Sequence, residues 1–478
     1  MSELRAAGPI APSDPDRFAR GWVIPAIIGT GLLLQTLSAT VLANALPTMA
    51  KALHEDPLRL NLAITMYLLA AAVFLPISGW AADKFGAKRI FVIAIVLYGL
   101  SSAACGLAEN LGQLVFARIC QGAAGAMMSP VGRLVLLRTT PKDELVGAMS
   151  VLTVPSLLGP MVGPVLGGAI VTFWDWRWIF FINLPIAAFG IALVLRYVPN
   201  VQEQTVSPLD WLGLGLTGLG LACLVFGFEN LGRSLVPLPA VIALFVVGAG
   251  CMWLYWRHAR ENPHAILDLS LFRISTFHVS VVGGVFMRLA MGAMPFLLAL
   301  LLQIGFGMSP FHAGLLTFMS AAGALVMKAT APPILRRFGF RSVLVVNSVI
   351  VGIFFLAYGL FRPETSHVVI MLVLLGGGFF RSLQITSLNG MAFADVEQPQ
   401  MSRASTISSM SQQLTQSVGV GLAALMLHWV MRLQGDTTLN AQSVPPVFVA
   451  FGVLSFVSIL FYVRLDPRAG DHMNRRGV

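Results

Sequence analysis

Residues 79–89 read GWAADKFGAKR, and further along the chain residues 336–342 read RRFGFRS. Laid over DKFGAKR (83–89) at an offset of 253, the later stretch matches Gly339 to Gly86. The same offset lays GFGMSPF (305–311) on ALHEDPL (52–58) and matches Pro310 to Pro57. Two matches at one spacing, each in the equivalent loop, predict a chain made of two similar halves. On either side of these loops lie apolar runs of the length a bilayer demands, about 20 residues each. Fourteen can be marked, at 22–46, 58–81, 90–107, 112–137, 146–172, 178–197, 211–229, 236–256, 279–303, 312–334, 343–361, 367–391, 405–431 and 446–463. The reading is an all-α polytopic membrane protein of fourteen transmembrane helices arranged 6+2+6, the pair between 211 and 256 being an insert.

Composition agrees. Of 478 residues, 56% are apolar and only 11% charged, with a mean hydropathy of +0.80. Soluble chains carry roughly 25% charged residues, so there is too little polar surface here for a water-soluble particle. A net charge of +10 would suggest a nucleic-acid partner in a soluble protein; beside a bilayer it reports orientation, and no nucleic acid is expected. With the N-terminus inside, twenty of the 31 bases fall on one side of the membrane, six on the other and five within spans. That bias puts both termini in the cytoplasm. The expected division is a cytoplasmic tail (1–21), a six-helix bundle (22–197), linkers with the two-helix insert (198–278), a second six-helix bundle (279–464) and a cytoplasmic tail (465–478). The first twenty residues are polar and read as that tail rather than as a signal peptide.

Several chemistries are excluded. Cys105, Cys120, Cys223 and Cys251 all sit in apolar runs without metal-ligand spacing, so neither a disulfide frame nor a metal site is expected. GLGLTG (213–218) fits GxGxxG, but it follows no strand, and no GxxxxGK(S/T) occurs. The chain therefore reads as no enzyme and as needing no cofactor.

Three segments carry more than hydropathy. The loop GWAADKFGAKR combines Gly79, Asp83, Lys84, Gly86, Lys88 and Arg89, a tight glycine turn with one acid among bases at the membrane surface. FARICQGAAGAMMSPVGR (116–133) places Arg118, Gln121 and Gly122 inside the fourth run. In LLGPMVGPVLGGAI (157–170), Gly159, Gly163 and Gly167 recur every four residues and share a helix face that admits a close neighbour. Pro160 and Pro164 interrupt that helix's donors, and Gly168 follows.

These segments, with WDWRWIFFINLP (174–185), resemble the 14-span drug:proton antiporter branch of the major facilitator superfamily. LPISGWAADKFG (75–86), RICQGAAGAMMSPVGR (118–133), LQIGFGMSPFHAGL (302–315) and the region SSMSQQLTQSVG (408–419) are most similar to its MdtD-like members. The resemblance covers nearly the whole chain. It implies the major facilitator fold, a monomer in the inner membrane, and export of small organic compounds coupled to protons by alternating access. It further implies that Asp83 and the bases Lys84, Lys88 and Arg89 latch and gate, that Arg118 with Gln121 and Gly122 serves proton coupling, and that the Gly-Pro repeat marks an exporter.

One departure stands out. The branch commonly reads LDxT…ALP in its first span, whereas this chain reads LSATVLANALP (37–47), with Ser38 in the acid's place. No Asp or Glu lies deep in any span, but five bases do: Arg118, Arg133, Arg288, Lys328 and Arg381. Arg133 and Lys328 stand within reach of the interface and read as snorkelling. Arg288 and Arg381 lie about ten residues from either end of their spans, at a cost of roughly 2.5–3.5 kcal/mol unless a partner or wet cavity receives them. The expected cavity candidates are Ser38, Thr40, Asn44, Arg133, Arg288, Gln303, Arg381, Gln384, Asn389, Gln412 and Gln413. Resemblance favours multidrug efflux; the acid-free interior favours an organic anion, such as citrate or its metal chelate. A non-transporting membrane sensor is the remaining alternative.

Overall fold

The computed structural model describes residues 15–139, 145–199, 208–230, 237–262, 265–397, 400–436 and 438–466. The outer parts of both expected tails and the loop base Lys142 lie outside them. Fourteen long helices follow one another: α1 (Pro15–Ala52), α2 (Leu62–Phe85), α3 (Ala87–Gly106), α4 (Leu111–Thr139), α5 (Leu145–Phe173), α6 (Asn183–Tyr197) and α7 (Trp211–Asn230), then α8 (Leu238–Glu261), α9 (Ser275–Gly305), α10 (Pro310–Phe338), α11 (Phe340–Tyr358), α12 (His367–Phe393), α13 (Met401–Gln434) and α14 (Pro445–Tyr462). Thirteen are long and apolar enough to cross a membrane. In α5, 29 residues long, the apolar run is Leu158–Phe173. Most helix ends lie a few residues from the sequence reading, and two of these shifts fall at expected division points. α1 already begins at Pro15, so the end of the expected tail is helical, and α9 begins at Ser275, four residues before 279.

The repeat is visible in the backbone. Gly86 (φ +92°) closes α2 and opens α3, and Gly339 (φ +72°) does the same between α10 and α11. Their amides bond to Ala82 and Leu335 carbonyls at 3.0 Å each, in a backbone conformation that other side chains resist. At the opposite ends of these helices, Pro57 and Pro310 each occupy a first helical turn. There Asp56 and Ser309 cap the amides of Leu58 and His312 at 2.8 and 3.3 Å. A third pair obeys the same 253-residue offset. Lys88 Nζ donates to the Leu195 carbonyl at the end of α6, and Arg341 Nη2 to the Val463 carbonyl just past α14, both at 2.8 Å. Each cation sits where a helix C-terminus leaves carbonyls unpaired.

α1 packs along α5 and α2 along α4, and α10 packs along α12 as α2 does along α4. These crossings are close because of glycine. A Cβ on Gly122 would stand under 3.0 Å from the Tyr67 carbonyl, and one on Gly378 under 3.0 Å from the Ser320 carbonyl. α1–α6 and α9–α14 meet along two main seams, α5 with α10 and α2 with α13, and also where α1 touches α9. α7 and α8 pair with each other, and α7 also lies against α2 and α13.

Where α7 begins and α8 ends, polar side chains clip the hairpin together. Asp210 accepts from the Gly213 amide at 2.8 Å and from the Ile266 amide at 3.2 Å, and pairs with His258 at 2.8 Å. Tyr255 Oη binds the Leu267 amide at 2.8 Å, and Asp268 meets Arg403 of α13 at 3.3 Å. Partial burial pushes the Asp268 carboxyl up, but hydrogen bonds from Ser270 and the Arg403 charge outweigh that and hold it below its ordinary value.

Candidate functional site

Between the two helix groups lies a cavity of about 210 Å³. α1 contributes Thr40, Ala43 and Asn44, and α5 contributes Pro160, Met161 and Pro164. Facing them are Met294, Pro295 and Leu298 of α9, Thr317, Ser320, Leu325 and Lys328 of α10, and Arg381 and Ser382 of α12. The wall is largely apolar, with methionines able to adapt to varied shapes. Among the described residues its charged lining is Arg381 and Lys328, with no acid. Arg381 Nη2 donates to Ser320 Oγ at 3.2 Å, while Nη1 approaches Met294 Sδ. Lys328 Nζ donates to Thr386 Oγ1 at 3.0 Å. Neither interaction supplies a counter-charge.

The glycine face of α5 builds the first wall of this cavity. Cβ atoms on Gly159, Gly163 and Gly167 would each stand under 3.0 Å from α1, at Thr36, Thr40 and Val41. With α1 this close, Thr40 Oγ1 donates to the Gly159 carbonyl at 3.1 Å and Asn44 Nδ2 to the Pro164 carbonyl at 2.8 Å. Pro160 and Pro164 fall on the cavity side, where missing ladder donors are tolerated.

At the Pro57/Pro310 end the cavity is shut. Asn44 also donates to the Pro310 carbonyl at 3.2 Å, and Gln303 Nε2 donates to the Asn44 carbonyl at 2.8 Å. The Phe311 amide donates to Thr172 Oγ1 at 3.2 Å, and Ser417 Oγ to the Thr65 carbonyl at 3.0 Å. Gly168 backs onto Pro310, and Gly314 onto Pro164, so closely that a Cβ would not fit at either. All these bonds join one helix group to the other, and all lie toward that one end.

Away from the cavity, Arg118 is buried, 1% exposed, and does not snorkel. Nε donates to the Ala63 carbonyl at 3.0 Å, Nη1 to Gln121 Oε1 at 2.5 Å, and the guanidinium lies 4.2 Å from the centre of the Tyr67 ring. Gln121 Nε2 continues to Ser102 Oγ at 2.6 Å and Ser38 Oγ at 3.4 Å, and Asn183 Nδ2 reaches Ser102 at 3.3 Å. Ser38 thus joins the Arg118 network rather than the cavity wall.

Of the remaining candidates, Thr40, Asn44 and Arg381 line the cavity, and Gln303 belongs to its closed end. Arg288 lies inside the α9–α14 group, and Gln384 is bound there to Asn347 at 2.7 Å and Ser348 at 2.9 Å. Arg133 is exposed, and Asn389, Gln412 and Gln413 are half-buried outside the lining. In the loop motif, Gly79 has open space beside it, Lys84 lies 4.7 Å over the Trp80 ring, Asp83 is half-buried and Arg89 is exposed.

Lys328 is the lining residue that the sequence reading assigned to the interface. α10 runs ten residues beyond it to Phe338, a distance of about 15 Å at the helical rise, which is more than a lysine stem spans. Counting to the helix-ending Gly339, rather than to the nearest base, is the signal that would have placed it.

Comparison with known proteins gives a consistent picture. The sequence profile of the Major Facilitator Superfamily matches residues 28–280 and again 280–476. The chain is 38% identical over 405 residues to MdtD of Pectobacterium atrosepticum, covering 84% of this chain and 86% of the relative. It is 39% identical over 444 residues to MdtD of Enterobacter sp. (strain 638), covering 92% and 93%. Both relatives are named as multidrug resistance proteins. A D-xylose–proton symporter superposes with a TM-score of 0.67 at 14% identity, over 92% of this chain and 97% of that one. A POT family transporter crystallised with a thioalcohol-conjugated peptide gives 0.68 at 13%, over 93% and 95%.

Proposed function

The chain belongs to the Major Facilitator Superfamily, and from that premise we propose that it is a monomeric proton-coupled exporter of small organic compounds, of the multidrug type, working by alternating access. The observation that carries this reading is the cavity between the two helix groups, shut at the Pro57/Pro310 end by bonds that run from one group to the other. In this proposal α1–α6 and α9–α14 are the rocking halves, α7–α8 is the insert, and the Gly86/Gly339 end faces the cytoplasm. The form described is then the one that loads from inside. Breaking the Asn44, Gln303 and Thr172 bonds while the opposite end closes releases the solute outside.

The Gly86 turn and its bases serve as the latch for that second state, and Arg118 with Gln121, Gly122 and Ser38 as the proton-linked network. Ser38 cannot release and rebind a proton at neutral pH as a carboxyl would, so coupling runs through a group other than the usual acid.

A second reading, export of an organic anion, is favoured by one observation: the cavity offers Arg381 and Lys328 and no carboxylate. Two cations near one solute repel a lipophilic cation and attract an anion. Counterflow in proteoliposomes under a pH gradient, comparing a lipophilic cation with citrate and its iron complex, separates the two. Cation flux supports the multidrug reading. Gradient-dependent anion flux lost in Arg381→Ala and Lys328→Ala replaces it with the anion reading, and no flux of either kind overturns both.

A further inference from the structure

Arg288 is 4% exposed, and its Nη1 and Nη2 both lie buried without a hydrogen-bond partner. A guanidinium stays charged in every protein setting, so proton loss offers no escape. A buried charge left unpaired is among the costliest features a fold can keep.

The surroundings are donors. Ser458 Oγ and Tyr462 Oη, both on α14, are also buried and without a partner. Tyr462 stands one turn after Ser458 on α14, and its ring faces α9 at Gly283. The Gln384 amide is turned away, donating to Ser348 at 2.9 Å. Two hydroxyls and the guanidinium N–H groups thus lie buried and unpaired in the α9–α14 group, and among the described residues no carboxylate pairs with the arginine.

α9 passes from a π-helical turn, Val279–Gly283, into regular helix at Gly284, one turn before Arg288. Such turns are rare and collect at functional places. A Cβ on Gly284 would stand 3.5 Å from Arg288 Nη1, and one on Gly283 3.5 Å from the Tyr462 ring. Gly284 thus brings no side chain of its own against the charge, with the Leu388 methyl groups at the same distance, while Gly283 lies against Phe461.

We propose that Arg288, Ser458 and Tyr462 hold a small inorganic anion of the halide class inside the α9–α14 group, at a site separate from the central cavity. The anion supplies the negative charge that the protein does not, and accepts the hydrogen bonds that these donors otherwise leave unmade. Its binding free energy adds to the stability of the folded chain.

The test uses the full chain in lipid nanodiscs, with the unfolding temperature followed as chloride or bromide replaces gluconate at fixed ionic strength. Expected is a saturable rise with either halide and a flat response in Arg288→Gln. In Gly284→Ala, which sets a methyl group against Arg288 Nη1, the half-saturating chloride concentration should rise at least about tenfold. Equal unfolding temperatures in gluconate and chloride, or an Arg288→Gln protein that keeps the response, would mean that water alone meets these donors. Should Arg288→Gln fail to fold, Gly284→Ala decides, and a titration superimposable on the wild type overturns the proposal.

Discussion

Arg118 and Arg288 are both buried in a helix group, and the fold treats them in opposite ways. Arg118 spends its N–H groups on a carbonyl and a glutamine and lays its face on Tyr67, and Gln121 carries the network on to two serines. Arg288 has the same charge and as little exposure, yet both terminal nitrogens end on nothing. A satisfied polar network fixes a core, whereas an unsatisfied charge weakens it until something binds. The difference teaches that burial and charge alone do not tell a structural arginine from a binding one; the inventory of partners does.

Mutations that remove each charge sharpen that contrast most. Arg118→Ala leaves the Gln121 amide oxygen without its donor and opens a void beside Tyr67, and should cost about 2–5 kcal/mol, read as a large fall in unfolding temperature or in folded yield. Arg288→Met, in a buffer without halide, should be neutral or stabilising by about 1–4 kcal/mol, because it deletes an uncompensated charge. Equal losses in the two variants would break the comparison.

Glycine packing gives the next largest effect. Gly122→Ala drives a methyl group into the Tyr67 backbone beside Arg118 and should cost about 1–3 kcal/mol. Gly79→Ala, with nothing within 4 Å, should be neutral or gain about 0.5–1 kcal/mol from helix propensity. Thermal unfolding of the two variants side by side decides. Gly168→Ala places its methyl against Pro310 across the closed end, so counterflow should fall severalfold while the unfolding temperature barely moves.

The smallest effect belongs to Asp268, whose carboxyl is held below its ordinary value. The linkage sign follows from that direction. Its contribution is complete above the unfolded carboxylate range, about pH 4, and is lost as pH falls through the lower folded value. Asp268→Asn should flatten that acid limb slightly, by under about 1 kcal/mol for a partly exposed pair, in pH-dependent unfolding curves.

The helical fold and its internal repeat were legible because bilayer length and loop glycines are local signals. Gly86 with Gly339 and Pro57 with Pro310 could be paired from sequence, and all four occupy the backbone roles that pairing implies. The Lys88 and Arg341 pair went unread because a Lys and an Arg do not look alike in an alignment of letters, although both cap a helix end. The site was less legible. Depth along a span was readable for Arg288 and Arg381 alike, but only rotation about the helix axis sends one into a bundle core and the other toward the cavity. That angle depends on packing partners far away in sequence, such as Tyr462 for Arg288 and Met294 for Arg381. Gln384 likewise reads as a cavity polar until its bonds to Asn347 and Ser348 are seen.

The α7–α8 hairpin makes the two seams mechanically unequal. α7 leans on α2 and α13 together, while the clips at its base, Asp210 with Ile266 and Asp268 with Arg403, tie it to the chain that leads into α9 and to α13. In the rocking motion proposed above, the hairpin would travel with α13 and its other face would slide across α2. One seam works as a splinted joint and the α5–α10 seam as an unsplinted one, so the pivot of the motion is drawn toward the hairpin's side of the molecule.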